Sequence, residues 1–254
     1  MEYRVRLNLL STAVVLAIGI AASVITSTIV AARAYQSRVR QLASNQREIT
    51  VKGSARERVT SDIGVWSISV SERSKALADG YTALESSTAK VQAFLAEQGF
   101  SASEIALASI ETDPHHARDE RGNSSWEVEA YTLSRVLTVT SPQVARFPKA
   151  EAEVTRLMKD GVSVRSYAPR YYYSRIADLK IQILGKAAQD AHARAQEIAK
   201  SSGGRVADVR SVQMGVLQIT EPHSTEVSSA GLYDTSTIEK DVTAVVTVAY
   251  GLES

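Results

Sequence analysis

The sequence has no cysteine, and that absence removes disulfides, thiolate nucleophiles, cysteine-ligated zinc and iron–sulfur clusters together. It leaves the compartment open, because a chain without thiols is equally safe in reducing and oxidising surroundings. Net charge is nearly absent too: 29 Lys and Arg stand against 28 Asp and Glu, for a formal +1. Such a chain has no long-range field to draw in nucleic acid or anionic substrates, so nucleic acid is not expected among its partners.

Catalytic signals are equally sparse. The histidines are His115, His116, His192 and His223. The first two lie in the polar stretch Asp113 to Asn123, where adjacent histidines among scattered acids lack the spacing of a defined metal site. His192 and Asp190 are two residues apart, on different sides of a helix, and make no dyad. No G-x-S-x-G, Walker loop, G-x-G-x-x-G or H-E-x-x-H occurs, which removes the common nucleophile, nucleotide and zinc motifs. Ser201-Ser202-Gly203-Gly204-Arg205 has the glycines of a phosphate loop, but it follows a helix C-terminus, the wrong pole of the dipole for an anion. The expectation is a protein that is not an enzyme, with no catalytic, cofactor-binding or metal-ligating residue assigned and no cofactor called for.

What is present is hydrophobic. Apolar residues make up 44% of the 254, enough for a real core in one large domain or two small ones. Leu7 to Ala32 runs without a charge, and roughly 20 helical residues at about 1.5 Å each already cross a hydrocarbon layer of about 30 Å. The length favours a retained single-pass anchor in residues 1–34. The rival is a cleaved signal peptide, since Ala32-Arg33-Ala34 has the small residues of a cleavage site behind Arg4 and Arg6. Arg33, Arg38 and Arg40 after the span tilt the positive-inside count toward a cytoplasmic domain. Residues 35–46 are polar and read as a juxtamembrane tether, with the folded domain at 47–254.

Within that domain, Ile49 to Gly53 alternates as a strand, and Trp66, Ile68 and Val70 alternate with serines in the next. A helix follows with Leu77, Tyr81, Leu84, Thr88, Val91 and Leu95 on one stripe and Gly99 as its stop. Ser101 and Glu104 have capping-box spacing before a strand from Ile105 to Thr112. Asp113 to Asn123 reads as a loop and Trp126 to Thr140 as a long strand. A helix is expected from Pro148 to Lys159, stopped by Gly161, and extended chain from Tyr167 to Ser174. The third helix, Ala177 to Ser201, is expected to bury Ile181, Leu184, Ala188, Ala191, Ala195 and Ile198 and to end at Gly203-Gly204. A strand from Val206 to Thr220, a polar loop, and a last strand with Val242, Ala244, Val246, Val248 and Tyr250 on one face close the chain. Helices that each end in glycine and feed a strand make an α+β domain of antiparallel-rich sheets packed with helices.

The run Pro169 to Ser174, the alanine-rich helix Leu184 to Ala199, its Gly203-Gly204 end and the closing strand Val242 to Tyr250 together resemble the SIMPL-domain family of YggE-like periplasmic proteins. The likeness covers roughly Arg47 to Glu253, with Lys186, Ala188, Asp190, Ala191, Ala195 and Ala199 as its strongest motif. It implies a mixed α/β fold without an established enzymatic activity, export in bacteria, and ring-like oligomers in some members. With the anchor added, the implied place is the inner membrane, with the domain on the periplasmic side. The expected role is an oligomeric scaffold or interaction module whose partners are the membrane and further copies of itself. The alternative is a small-molecule or metal-ion binder of the envelope. One patch has the composition of an interaction surface: Tyr167, Tyr171, Tyr172 and Tyr173 among Arg165, Arg170 and Arg175. The other reading of the same residues is tyrosines covering a sheet edge.

Overall fold

The structure, a computed structural model, describes residues 26–36, 47–118 and 124–253. Residues 26–36 form helix α1, exposed along its length. Among the described residues no helix is long and apolar enough to cross a membrane, and most of the expected anchor lies outside them. The chain divides into two compact units. Strand β1 (Glu48–Thr60), helix α4 (Ile176–Ser201) and strand β11 (Glu239–Glu253) each contribute residues to both.

The larger unit comprises residues 54–187 and 215–245. Its centre is an antiparallel sheet in which β5 (Ser124–Ser141) pairs with β2 (Ile63–Ser74) in unbroken register from Gly64↔Ser141 to Ser74↔Tyr131. Strands β3 (Ile105–Leu107) and β4 (Glu111–Arg118) pair with β5, and β6 (Val164–Ser166) and β7 (Arg170–Tyr172) pair with β2. The period-two pattern of β2 has its expected effect: Trp66, Ile68 and Val70 are fully buried. Helix α2 (Leu77–Glu97) covers them with Leu84, Thr88, Val91 and Leu95, while Leu77 and Tyr81, from the same expected stripe, stay half exposed. Helix α3 (Phe147–Val154), with Pro148 in its first turn, continues as 3₁₀ turns to Asp160. Phe147 stands edge-on to Trp66 and to Tyr171, at 6.5 and 6.1 Å between ring centroids. Gly64 leaves room for that ring, since a Cβ there would lie 2.3 Å from Phe147.

The smaller unit takes residues 1–53, 188–214 and 246–254. Strand β8 (Arg205–Met214) pairs antiparallel with β11 from Val246↔Met214 to Glu253↔Arg205, with register shifts on either side of Tyr250. The ring of His192 on α4 lies 5.4 Å from that of Tyr250, which sets the helix against the buried face of β11. That face carries Val246, Val248 and Tyr250, as the alternation requires. In the larger unit β11 continues through Val242 and Ala244, and β9 (Gln218–Thr220) pairs with it and with β10 (Leu232–Tyr233).

The glycine stops are where the sequence puts them: Gly99, Gly161 and Gly203 all have positive φ after their helices, a conformation that only glycine adopts without strain. The Ser101–Glu104 capping box forms, with the Ser101 N–H donating to Glu104 Oε2 at 2.8 Å. Four expectations need correction. Ile105 to Thr112 is not one strand, since β3 ends at Leu107 and β4 begins at Glu111. The buried column of α4 is Leu179, Ile183, Ala187, Ala191, Ala195 and Ala199, spaced strictly by four, whereas Ile181, Ala188 and Ile198 are exposed. An i±4 ridge is inclined to the helix axis, so a helix resting on one twisted sheet makes contact through a single such ridge. The stretch Asp113 to Arg118, expected as loop, is most of β4. Nearly every side chain of β4 is exposed, so its sequence carries no alternation to mark it as a strand. The expected strand Val206 to Thr220 is two strands, broken at Gly215.

Candidate interaction surface and buried polar sites

The tyrosine patch does not form one surface. Tyr171 is buried in the core against Phe147, and burial pushes its hydroxyl above the usual tyrosine range. Tyr172 and Tyr173 are half-buried, with the Arg175 guanidinium 5.8 Å from the Tyr173 ring centre, and Tyr167 is exposed. Arg165, Arg170 and Arg175 are exposed. The tyrosines therefore divide between packing and surface.

The histidines are dispersed. His115 shares a 2.7 Å hydrogen bond with Thr132 Oγ1 across the β4–β5 pair. His116 is exposed, and His192 packs on Tyr250. His223 has a left-handed backbone, φ 65°, and its N–H donates to Asp241 Oδ2 at 3.3 Å. Among the described residues no group of three His, Asp or Glu side chains could hold a metal.

Two ion pairs in the larger unit escaped the sequence reading. The Lys240 side chain is 1% exposed and donates to Asp234 Oδ2 at 3.2 Å and to the Thr237 carbonyl at 2.6 Å. Asp234 also accepts from the Ser236 N–H and hydroxyl, at 2.8 and 2.6 Å, and from the Thr237 hydroxyl. Burial opposes ionisation of Asp234, and these hydrogen bonds together with Lys240 outweigh it, holding the carboxyl well below the usual carboxylate range. For Lys240 burial dominates, and its ammonium titrates below the ordinary lysine value despite the partner. The signal was available, since residue 240 has the parity of the buried face of β11.

The second pair joins Asp241, almost wholly buried, to Arg58 in a two-point contact of 2.8 and 3.1 Å, with Arg56 at 4.0 Å. The hydrogen bonds from Arg58 lower the Asp241 carboxyl against its burial. Both guanidinium groups remain open to solvent on one face of β1.

Concave surface is available in each unit. In the larger one, Phe94 and Leu157 floor an open groove of about 490 Å³, rimmed by Lys90, Glu97, Arg156 and Asp160. In the smaller, Ile49, Ile198, Ala199 and Leu252 line an apolar cleft of about 190 Å³, beside Arg47 and Glu253. Apolar side chains also stand uncovered: Trp126 on β5 is 99% exposed, and Val209, Val212 and Met214 on β8 lie open on the side of the sheet that α4 occupies. Trp126 fell within an expected strand, but its exposure had no sequence signal, because tryptophan in an alternating run reads as core.

The model of the SIMPL family, described as a protein of unknown function (DUF541), matches residues 49–250. The chain belongs to the SIMPL family. No curated protein matches. Solved structures similar to parts of this SIMPL chain include a putative aminohydrolase from methicillin resistant Staphylococcus aureus, at 13% identity and a TM-score of 0.27, covering 48% of this chain and 33% of that one. A putative amidohydrolase/peptidase from Burkholderia cenocepacia matches at 17% and 0.24, over 57% of this chain and 34% of its own. The regulatory subunit of aspartate kinase from Thermus thermophilus matches at 14% and 0.20, over 79% and 88%. The chain thus spans about a third of the length of the first two, and at these TM-scores none bears on activity.

Proposed function

We propose that this SIMPL protein is a membrane-anchored, non-enzymatic envelope protein that works as an oligomeric scaffold or interaction module, with its domain on the periplasmic side of the inner membrane. The observation that carries this reading is the apolar surface left open on both units: Trp126 on one, Val209, Val212 and Met214 on the other. Such side chains gain about 25 cal/mol for each Å² removed from water, and Val209, Val212 and Met214, which pair with Tyr250, Val248 and Val246, share one side of one strand, the kind of exposed apolar grouping that contacts cover. The uncharged run Leu7 to Ala32 supports tethering. Confinement to a membrane turns weak contacts into effective ones, because the second contact becomes an encounter at high local concentration.

Light scattering on full-length protein in mild detergent tests this. A defined mass of several copies is expected. A monomer across a wide concentration range would sink the scaffold and shift the weight to a second reading, a small-molecule binder. The groove between Phe94 and Leu157 favours that alternative, since it brings two cationic and two acidic side chains to one apolar floor.

A further inference from the structure

Helices α2 and α3 pack on the face of the larger unit's central sheet that carries Trp66, Ile68 and Val70. The alternate residues of β2, with their partners on β5, therefore point the other way. Along its middle this second face is built of short side chains: Ser67 pairs with Thr138, Ser69 with Val136 and Ser71 with Ser134. They make a low floor between two charged borders.

The borders differ in sign. On one, Arg165 of β6 pairs with Ser69 and Arg170 of β7 pairs with Val65. On the other, Glu111 and Asp113 of β4 pair with Ser134 and Thr132. Paired residues share a face of the sheet, so all four project on the side away from Trp66, and all four are exposed. None of them forms an ion pair among the described residues. Between the borders this face of the β2–β5 pair carries one charge, Arg73, in the same row as Asp113.

Such a face is complementary to itself about a two-fold axis that runs between β2 and β5, parallel to them. That axis lays β2 of one copy over β5 of the other and sets the arginine border over the acidic one twice. The rows agree as well: Arg165 lies in the row of Ser69 and Glu111 in that of Ser71, two residues or about 7 Å along the strand, within reach of an arginine. Aligned sheets pack about 10 Å apart, an approach that the short floor permits while the longer side chains at the borders bridge the gap. We propose that two copies pair through this face, with Arg165 and Arg170 of each on Glu111 and Asp113 of the other. The inference rests on the scaffold reading and names its interface. The contact is isologous and closes on a pair. A two-fold axis across the strands is disfavoured, because it would stack arginines on arginines and acids on acids.

Charge reversal with rescue tests it. One full-length variant carries Arg165→Glu with Arg170→Glu, and the other Glu111→Arg with Asp113→Arg; they are purified separately in mild detergent. The positions are exposed, so both should keep the wild-type circular dichroism, and the single reversals Arg165→Glu and Glu111→Arg replace them if a double variant misfolds. By light scattering, each alone should raise the assembly midpoint about tenfold or more, because like charges then meet at both borders. An equimolar mixture should recover the wild-type midpoint, since each border then faces the opposite sign. Wild-type protein that assembles while both variants match it, or a mixture that recovers nothing, would overturn this interface and leave the scaffold standing. Wild-type protein that is monomeric would overturn both. Ser69→Trp, which raises the floor, should prevent pairing. If the mixture recovers assembly and Ser69→Trp assembles like wild type, the borders meet side by side and the face-to-face pairing is wrong.

Discussion

Lys240 has 1% of its side chain in water, and Asp234 and the Thr237 carbonyl accept hydrogen bonds from its amino group, offsetting part of the cost of burial. Truncating one partner of such a pair leaves the other buried and uncompensated, a loss of about 3–5 kcal/mol in the general case. Asp234 is 16% exposed and retains its bonds from Ser236 and Thr237, so Lys240→Met is expected near the lower end, about 3 kcal/mol by urea unfolding. The pH dependence follows from Asp234. Its folded carboxyl titrates below the unfolded value of about 3.9. The stability it contributes is therefore complete above that unfolded value and lost as pH falls through it toward the folded one. Asp234→Asn should be less stable at pH 7 and show a shallower acid loss between about pH 5 and 2. An acid limb as steep as wild type would mean that other carboxylates govern it. At this scale the sequence was only partly legible. The parity of residue 240 on β11 pointed inward, and the Asp-x-Ser-Thr turn that receives it has the residue types that bond their own backbone. A lysine at an inward position reads as an error in the alternation until its partner is known, and the partner sits six residues away through a loop.

At the scale of elements, the clearest local consequence is the seat of Phe147 on β2. A methyl at residue 64 would overlap the ring at 2.3 Å, with Trp66, Phe100 and Tyr171 around it. Overpacking a filled core costs about 1–3 kcal/mol, and this contact involves a ring held from several sides. Gly64→Ala is expected to lower stability by about 3 kcal/mol in thermal or urea unfolding. A change under about 0.5 kcal/mol would show that α3 can move away from the sheet. Elements with a one-sided environment were the ones legible in advance. The period of β2 and β11, the glycine stops at 99, 161 and 203 and the capping box at Ser101 all follow from local chemistry. The misread elements have two similar environments or an unusual ridge. β4 is exposed on both faces and so has no pattern. Helix α4 meets its sheet through small residues at strict spacing of four, while isoleucines at 181 and 198 face water; a count of large apolar residues therefore chose the wrong stripe. Tyr171 and Tyr172 differ only in parity, and composition could not say which was core.

In the proposed scaffold, residues 1–34 supply part of the assembly free energy, because anchors that share one membrane or one detergent micelle keep weakly contacting domains together. Anchors held together raise the local concentration of the domains they carry, which favours contacts too weak to persist in dilute solution. Removing Met1 to Arg33 should therefore have two linked effects. The full-length protein should stay in the membrane fraction through alkaline wash and the truncated chain should leave it, and the truncated chain's mass by light scattering should fall toward the monomer on dilution while the full-length protein in detergent keeps its size. An export-dependent reporter fused behind Ser254 should be active, since the domain is expected outside the cytoplasm despite Arg33, Arg38 and Arg40 after the span. These outcomes separate the alternatives. A mature chain beginning at Tyr35 would identify a cleaved leader, and the concentrating effect of the membrane would then be unavailable. Assembly that survives dilution without residues 1–33 would mean that the domain contacts are strong by themselves, and the tether would be an address rather than part of the binding energy.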